Sequence, residues 1–520
     1  MTLITISNLY PRPDEPQRGL FNAQQFGALA DIAGAPGRQD PDGAAPPAAA
    51  WWRSAAESRI ANPEAPITNI ALVPEWRIWR RPAIRRWQDP RTNDLNTRYV
   101  PVFYIPLIGR NQSWRFYSLG LRSELERLQV SRRSGHDQSA HPERSRVPLR
   151  PSDAAGGGTR ERSGAAASPR LPAGARSEAP ANEVFHGSGP STLLFATWLY
   201  PDAVAAAVVA RRLGLPLWIK AHGSDRFHLA HPSRRARILE ACEYAEGVIC
   251  VSRPLADVLA EAGVERPRLH VVPNGVDTGR FRHCPQQEAR AQLQDRIESL
   301  GLPACPPEAV AKRPRRRVSP LARRSPERSD REGGSPIVLF AGNLALVKGL
   351  DVLLDALTAL CGATRDTRHA TPGTCPRLLV LGDGPQRNRL EGAARRRGIS
   401  GSVTFLGSRP HAEMPLWFNA ADCLCLPSRS EGMPNVVLEA LACGLPVVAS
   451  DVGACRELLD QQPGCRLVAP DDAEGLALAL CESMGEAVDR KALACDNAER
   501  LSWQASAERL LALMQRGQDD

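Results

Sequence analysis

Two glutamates, Glu431 and Glu439, bracket a glycine, a proline and an apolar run in "SEGMPNVVLEALACG" (430–444). Pro434 suits the first position of a helix, because its missing N–H would be unpaired there anyway. Gly444 suits the residue just past the helix end, and Pro446 blocks continuation. The spacing predicts a helix over roughly 434–443, whose first free amides belong to Asn435, Val436 and Val437. Free N–H groups at the positive end of a helix dipole suit an anion such as phosphate. Glu431 lies in the loop before that point, and Glu439 about one and a half turns beyond it. Carboxylates accept hydrogen bonds from sugar hydroxyls. A ligand with a diphosphate at the helix mouth could therefore set a sugar on one carboxylate and a ribose on the other. The same pattern also fits an ordinary buried helix that follows a loop glutamate.

Two further stretches place glycine turns between a strand and a helix. In "FAGNLALVKGLDVLLDAL" (340–357), Lys348 stands at the helix start as a point charge for a diphosphate, and Gly349 allows backbone to come close. "VLGDGPQRNRLEGAARRRG" (380–398) supplies a second such turn but no full G-x-G-x-x-G.

The elements that must position these residues form two series. Apolar runs at 3–10, 69–76, 192–198, 215–223, 247–252 and 268–275 alternate with helical patterns such as 202–213 and 233–244. A second series runs through 336–343, 377–384, 402–408, 422–428 and 446–451, with helices such as 349–360 between them. Continuous apolar strands between helices imply parallel sheets buried on both faces. Two doubly wound α/β domains are expected, with ligand at the carboxyl ends of the strands, in a cleft. The boundaries read as one such domain over 1–290, a second over 336–500, and a further helix over 501–520.

Length and charge agree with this division. A chain of 520 residues with 42% hydrophobic content exceeds one typical domain. The net charge of +9 is concentrated in two Arg/Pro/Ser/Gly-rich stretches: +4 over 132–178 and +6 over 312–332. The remainder is nearly neutral, which speaks against nucleic acid as a partner. Segments 33–60, 132–190 and 304–335 lack the large apolar residues needed to offset the entropy of ordering, and are expected to be disordered insertions. No apolar run reaches membrane-spanning length. The opening "MTLITISNLYPRPDEP" looks like a first strand, not an export signal. All thirteen cysteines fall after residue 241 and are expected to be reduced, small hydrophobic side chains of a cytoplasmic protein, Cys423 and Cys425 facing one side of a strand.

The motifs together resemble the retaining, nucleotide-sugar-dependent glycosyltransferases of family 4, which have the GT-B fold. "GNLALVKG", "LGDGP", "VTFLGS", "LCLPSRSEGMPNVVLEALACGLPVVASDVG" and "LSWQASAERLLAL" follow in the family's order across about 336–515. The first half matches more loosely through "YPRPDEPQRGLFNAQQFGALA", "ATWLYPDAVAAAVVARRLGLPLWIKAHGSD", "ICVSRPLADVL" and "VVPNGVDTGRF". The resemblance implies that Glu431 contacts the donor sugar and Glu439 the ribose, in an E-x7-E pattern. It implies that Lys348 neutralises the leaving diphosphate, that Gly19 lies near sugar and acceptor, and that His222 lines the cleft at the sugar. The catalytic set so implied is Glu431, Lys348 and His222. The donor-binding set is Gly19, Asn343, Lys348, Gly432, Asn435, Val436, Val437 and Glu439.

One position departs from the family. Asn343 stands where an arginine is usual, so the leaving group has one cation fewer. Loss of one such stabiliser typically costs about 100- to 1000-fold in rate, so a nearby arginine would have to compensate. No metal or other cofactor is implied, and Asp40-Pro41-Asp42 imitates a metal-binding D-x-D only within an Ala/Pro-rich loop. The implied acceptor is a glycan or a lipid-linked group in cell-surface polysaccharide or glycolipid synthesis. "WRIWRRPAIRRW" interleaves Trp76, Trp79 and Trp87 with Arg77, Arg80, Arg81, Arg85 and Arg86, which suits peripheral contact with an anionic membrane as well as a packed surface loop. A sugar-nucleotide epimerase, or a non-catalytic sugar-nucleotide binder, would carry a similar fold.

Overall fold

A computed structural model describes residues 2–7, 20–33, 67–75, 96–103, short stretches between 114 and 125, 192–299, 335–363 and 375–516. The three expected insertions, Gly19, the Asp40/Asp42 pair and the Trp76–Trp87 stretch lie outside these residues, apart from the insertions' outermost positions. One compact unit, Met1–Leu121 with Pro190–Asp520, holds two sheets.

The first sheet has the order β3-β2-β1-β4-β5-β6-β7. Its strands are β1 Thr2–Ser7, β2 Ile67–Glu75, β3 Asn96–Phe103, β4 Thr192–Thr197, β5 Leu217–Ala221, β6 Gly247–Cys250 and β7 Leu269–Val271. The second has the order β10-β9-β8-β11-β12-β13. Its strands are β8 Ile337–Ala341, β9 Arg377–Leu381, β10 Val403–Gly407, β11 Cys423–Leu426, β12 Val447–Ser450 and β13 Arg466–Val468. All pairings within both sheets are parallel. The two-lobed doubly wound α/β architecture expected from the sequence is therefore present. In each sheet the order reverses once, between β1 and β4 and between β8 and β11, and such a switch point opens a crevice at the strand ends.

Alternation explains why the strand sequences read as unbroken apolar runs. Ile337, Leu339 and Ala341 enter one core of the second lobe, while Val338 and Phe340 enter the other. Leu424 and Leu426 face the first of these cores, and Cys423 and Cys425 share the second. Each fully buried Leu or Phe contributes about 1.5–3 kcal/mol relative to exposure.

Three features depart from the sequence reading. β3, "NTRYVPVF", and β13, "RLV", were not expected as strands: the first carries polar residues and a proline, and the second is too short to show a period. The Gln286–Ser299 helix packs on the second sheet, with Ala289 and Leu293 in its core and Arg290 Nη2 at 2.6 Å from Asp422 Oδ2, so the expected boundary at 290 cuts it. Cys361 and Cys375 pair as a disulfide, which corrects the expectation of reduced thiols throughout. The end of the Leu350–Ala363 helix and the start of β9 bring their Cα atoms to 4.9 Å, within disulfide reach. The other described cysteines are free.

The chain crosses between the lobes twice, and the crossings lie side by side. Val276 N donates to Leu501 O (2.7 Å) and Trp503 N to Val276 O (3.3 Å). The Trp503–Arg516 helix then packs on the Leu20–Ala33 helix, placing Ala507, Leu510, Leu511 and Met514 in the first lobe's core with Leu3, Phe26 and Leu29. Among the described residues no helix is long and apolar enough to cross a membrane.

Candidate active site

The helix after β11 spans Asn435–Ala442. Pro434 is its N-cap, not its first residue: its φ of −77° is ordinary for proline but its ψ of 98° is extended, so helical geometry begins one residue later. Val437 N is used by Pro434 O at 2.9 Å. Of the three expected free amides, those of Asn435 and Val436 make no backbone hydrogen bond among the described residues. Gly444 ends the segment at φ 71°, as a residue past a helix end should.

The loops after β8 and β11 flank the second lobe's switch point and hold Lys348 and Glu431. Lys348 Nζ donates to Glu431 Oε1 at 2.7 Å, and Ser428 Oγ donates to the same oxygen at 2.6 Å. Glu431 is 9% exposed at its side chain and Lys348 27%, so the pair is shielded yet reachable. Gly349 (φ 64°) has a structural reason not visible in the sequence: a Cβ there would lie 1.9 Å from Pro427 O. It brings the two loops together rather than opening backbone to a ligand. Arg429 ties the same loops, with both nitrogens of its fork on Asp351 (3.0 and 2.9 Å), Nε on Asp471 (2.7 Å) and its backbone N on Val347 O (2.8 Å). Burial and hydrogen bonding act oppositely on Asp351; the result holds its carboxyl below the usual range, beside the Arg429 guanidinium.

Asn343 is exposed in the loop after β8, against Gly384, where a Cβ would lie 2.3 Å from Asn343 Oδ1. Arg387, at the start of the helix after β9, and Arg429, in the loop after β11, are committed elsewhere. Arg387 bonds Asp383 and Glu391, and Arg429 bonds Asp351 and Asp471. The expected compensating arginine is therefore not supplied by either.

Glu439 has a partner that sequence reasoning missed. His411 Nε2 stands 2.8 Å from Glu439 Oε1, and Arg280 Nη1 stands 3.2 Å from His411 Nδ1. A guanidinium only donates, so Nδ1 accepts and Nε2 carries the hydrogen directed at Glu439. Phe281 packs on the imidazole with centroids 5.1 Å apart. Nothing in the spacing of "RPHAEMP" signals this contact, which joins two loops and the inter-lobe crossing. Beside it a small open cleft is lined by Asn435, Glu439, His411, Phe281, Gln24 and Trp503, among others.

The first lobe meets the helix mouth through its strand ends. A Cβ on Gly223 would lie 2.3 Å from Gly432 Cα, and the reverse holds equally, so two glycine backbones are in direct contact between the lobes. His222 precedes Gly223. It is buried, stacks on Trp198 (4.6 Å), and its N donates to Asp225 Oδ2 at 2.7 Å. Burial and then the charge of Lys220 lower its pKa well below the usual imidazole range, so it is neutral. Asp225 also accepts Leu199 N (3.1 Å), and burial pushes its carboxyl up to about 7. Asn274 Nδ2 donates to Asn435 Oδ1 at 3.1 Å. Of the expected site residues, the structure thus gathers Lys348, Glu431, Gly432, Asn435, Val436, Glu439 and His222 around one meeting of strand ends. It takes Val437 N out of use, and leaves Asn343 at the exposed edge.

Two doubly wound sheets meeting at their strand ends, with a helix mouth between carboxylates, define a GT-B protein. The sucrose-phosphate synthase structure from Thermosynechococcus elongatus shares this fold over 99% of this chain and 98% of its own, with a TM-score of 0.57 at 17% identity. Residues 335–485 match the family described as glycosyl transferases group 1, and 135–280 match glycosyltransferase family 4. A D-inositol 3-phosphate glycosyltransferase of Jonesia denitrificans is 30% identical over 336 residues, 61% of this chain and 70% of that protein. A 2-deoxystreptamine glucosyltransferase of Streptomyces kanamyceticus is 29% identical over 286 residues, 53% of this chain and 62% of that one. The chain spans 51% and 54% of the length of two other curated relatives. The chain belongs to the group 1, family 4 glycosyltransferases.

Proposed function

We propose that this protein transfers a sugar, with retention, from a nucleoside-diphosphate sugar to a glycan or lipid-linked acceptor in cell-surface polysaccharide or glycolipid synthesis at the cytoplasmic face of a membrane. One observation carries the reading. The open amides of Asn435 and Val436 lie between Glu431, which holds Lys348, and Glu439, at the place where the first lobe's strand ends meet the second. The diphosphate seats at those amides, Glu439 takes the ribose, and Glu431 takes the sugar. As the bond to the anomeric carbon breaks, charge accumulates on the leaving diphosphate, and Lys348 turns from Glu431 to that charge. Such preorganised stabilisation is worth more in the transition state than in the ground state. His222, neutral and fixed by Asp225, lines the sugar without adding charge. The donor residues recruit no metal in this reading.

A thermal-shift panel of uridine, guanosine and adenosine diphosphate sugars tests it. A ligand at a hundred times its dissociation constant adds about 2.7 kcal/mol of stability. One donor should raise the melting temperature of the wild type, and Glu439→Ala should lose that rise while melting normally without ligand. If no donor shifts the wild type, or the variant shifts equally, the assignment fails.

A further inference from the structure

Lys220 has no role in the reading above, yet its setting is unusual. It lies in β5 with 0% exposure, and burying an ammonium is costly unless its hydrogens are bonded. Its Nζ donates to Gln25 Oε1 at 3.0 Å and to Asn274 Oδ1 at 2.9 Å, both uncharged. An ammonium only donates. It therefore fixes the Asn274 oxygen toward itself and turns Asn274 Nδ2 outward, where it donates to Asn435 Oδ1 at 3.1 Å. Asn435 is the first residue of the helix whose amides stand open. Three side chains thus form one hydrogen-bonded line from the core of the first lobe to the helix mouth of the second.

We propose that Lys220 is a positioning residue for the donor's diphosphate, orienting Asn435 through Asn274 and stationing a buried positive charge behind the helix mouth. This rests on the reading that the mouth seats a diphosphate. It also offers a source for the cation missing at Asn343, from the opposite lobe.

The surroundings make that charge responsive. Burial pushes the Lys220 ammonium down to about 7. His222, at the exit of the same strand, is held neutral, and Cys250 on the neighbouring β6 is pushed up to about 12 and is neutral too. Asp225, beyond His222, spends its oxygens on backbone amides, and its carboxyl, pushed up to about 7 by burial, titrates in the same window in every variant, so differences between variants report Lys220. Thr197 on β4 and Gln25 on the Leu20–Ala33 helix bring no charge. At the far end of the line Glu439 is engaged by His411, and Arg280 by the same imidazole. An arriving diphosphate is then the main new charge that Lys220 meets. It favours the protonated amine, so binding takes up a proton above about pH 7 and weakens as pH rises.

Isothermal titration with uridine, guanosine and adenosine diphosphates between pH 6.5 and 8.5, in buffers of different ionisation enthalpy, tests this. The wild type should take up to about one proton per site near pH 8, and its affinity should fall by up to about tenfold per pH unit. Gln25→Glu places a carboxylate beside Lys220 and keeps it protonated with or without ligand. That variant should lose the share of uptake and slope that belongs to Lys220, and Lys220→Met should likewise lose it and bind more weakly. The phosphate titration of the ligand is common to all three proteins and cancels. If the wild type and Gln25→Glu show the same proton count and slope, the Lys220 assignment fails while the donor reading stands. If no nucleoside diphosphate binds the wild type, both fail. Should Lys220→Met not fold, the Gln25→Glu comparison decides.

Discussion

The two lobes each bring a lysine toward the Asn435 helix mouth, and they hold it in opposite ways. Lys348, in the second lobe, is partly exposed and bonded to a carboxylate. Lys220, in the first, is fully buried and bonded to two amide oxygens. The first cation is matched by a charge of its own lobe, and in the proposed reaction it exchanges that partner for the diphosphate. Among the described residues the second has no counter-charge, so its protonation depends on what lies at the end of its hydrogen-bonded line. If the mouth seats a donor as proposed, the site carries one secured charge and one conditional charge.

Breaking the secured side should have the largest effect. Lys348→Ala should lower turnover of the cognate donor by about 100- to 1000-fold with little change in melting temperature, as expected for a stabiliser of the leaving group. A loss under tenfold in steady-state assays would assign the leaving-group charge elsewhere. Next comes the contact that joins the two regions. Gly223→Ala puts a methyl group 2.3 Å from Gly432 Cα and must hold the lobes apart. Misplacement by about 1 Å costs on the order of 100-fold in kcat/KM, and an unaltered kcat/KM would show that the contact is dispensable.

The conditional side should be visible in stability. Its folded-state ammonium titrates near 7 against an ordinary 10.5. Below about pH 7 both states hold the proton, and between about 7 and 10 the unfolded state holds more. The contribution of Lys220 to stability therefore rises with pH across that window. Urea midpoints of wild type and Lys220→Met should move in the wild type's favour from pH 7 to pH 9, and parallel curves would refute the buried charge. The smallest effect is expected at Arg429→Lys, which loses the forked bond to Asp351. With the guanidinium 26% exposed, screening limits the loss to about 1 kcal/mol or less, measurable by chemical denaturation.

The fold was legible because burial on both faces of a parallel sheet writes itself as uninterrupted apolar strands. Each of β8, β9 and β11 alternates between two cores and so has no polar face to break the run. β3 escaped because its proline and polar residues break that signature. Around the site, residues on strand-to-helix turns were readable from local spacing, as with Lys348 and Glu431. Partners brought in from elsewhere were not. His411 reaches Glu439 from another loop, and the Arg280 that orients it belongs to the inter-lobe crossing. Lys220 left a trace, a single cation inside "LPLWIKAHG", but its meaning depends on Gln25 and Asn274, far away in the chain. Gly349 was noticed for a different reason from the one the structure shows, since its neighbour is a carbonyl from the loop after β11.

The last described helix, Trp503–Arg516, completes the core that begins with Leu3. During synthesis the amino-terminal lobe cannot finish folding when its own strands emerge, because its closing wall is made about three hundred residues after β4. The second lobe holds all its own strands and core helices, so it can consolidate first, although it is translated later. Emergence of the Trp503–Arg516 helix, rather than the order of the lobes along the chain, then sets when the carboxylate-lined mouth acquires its opposing face.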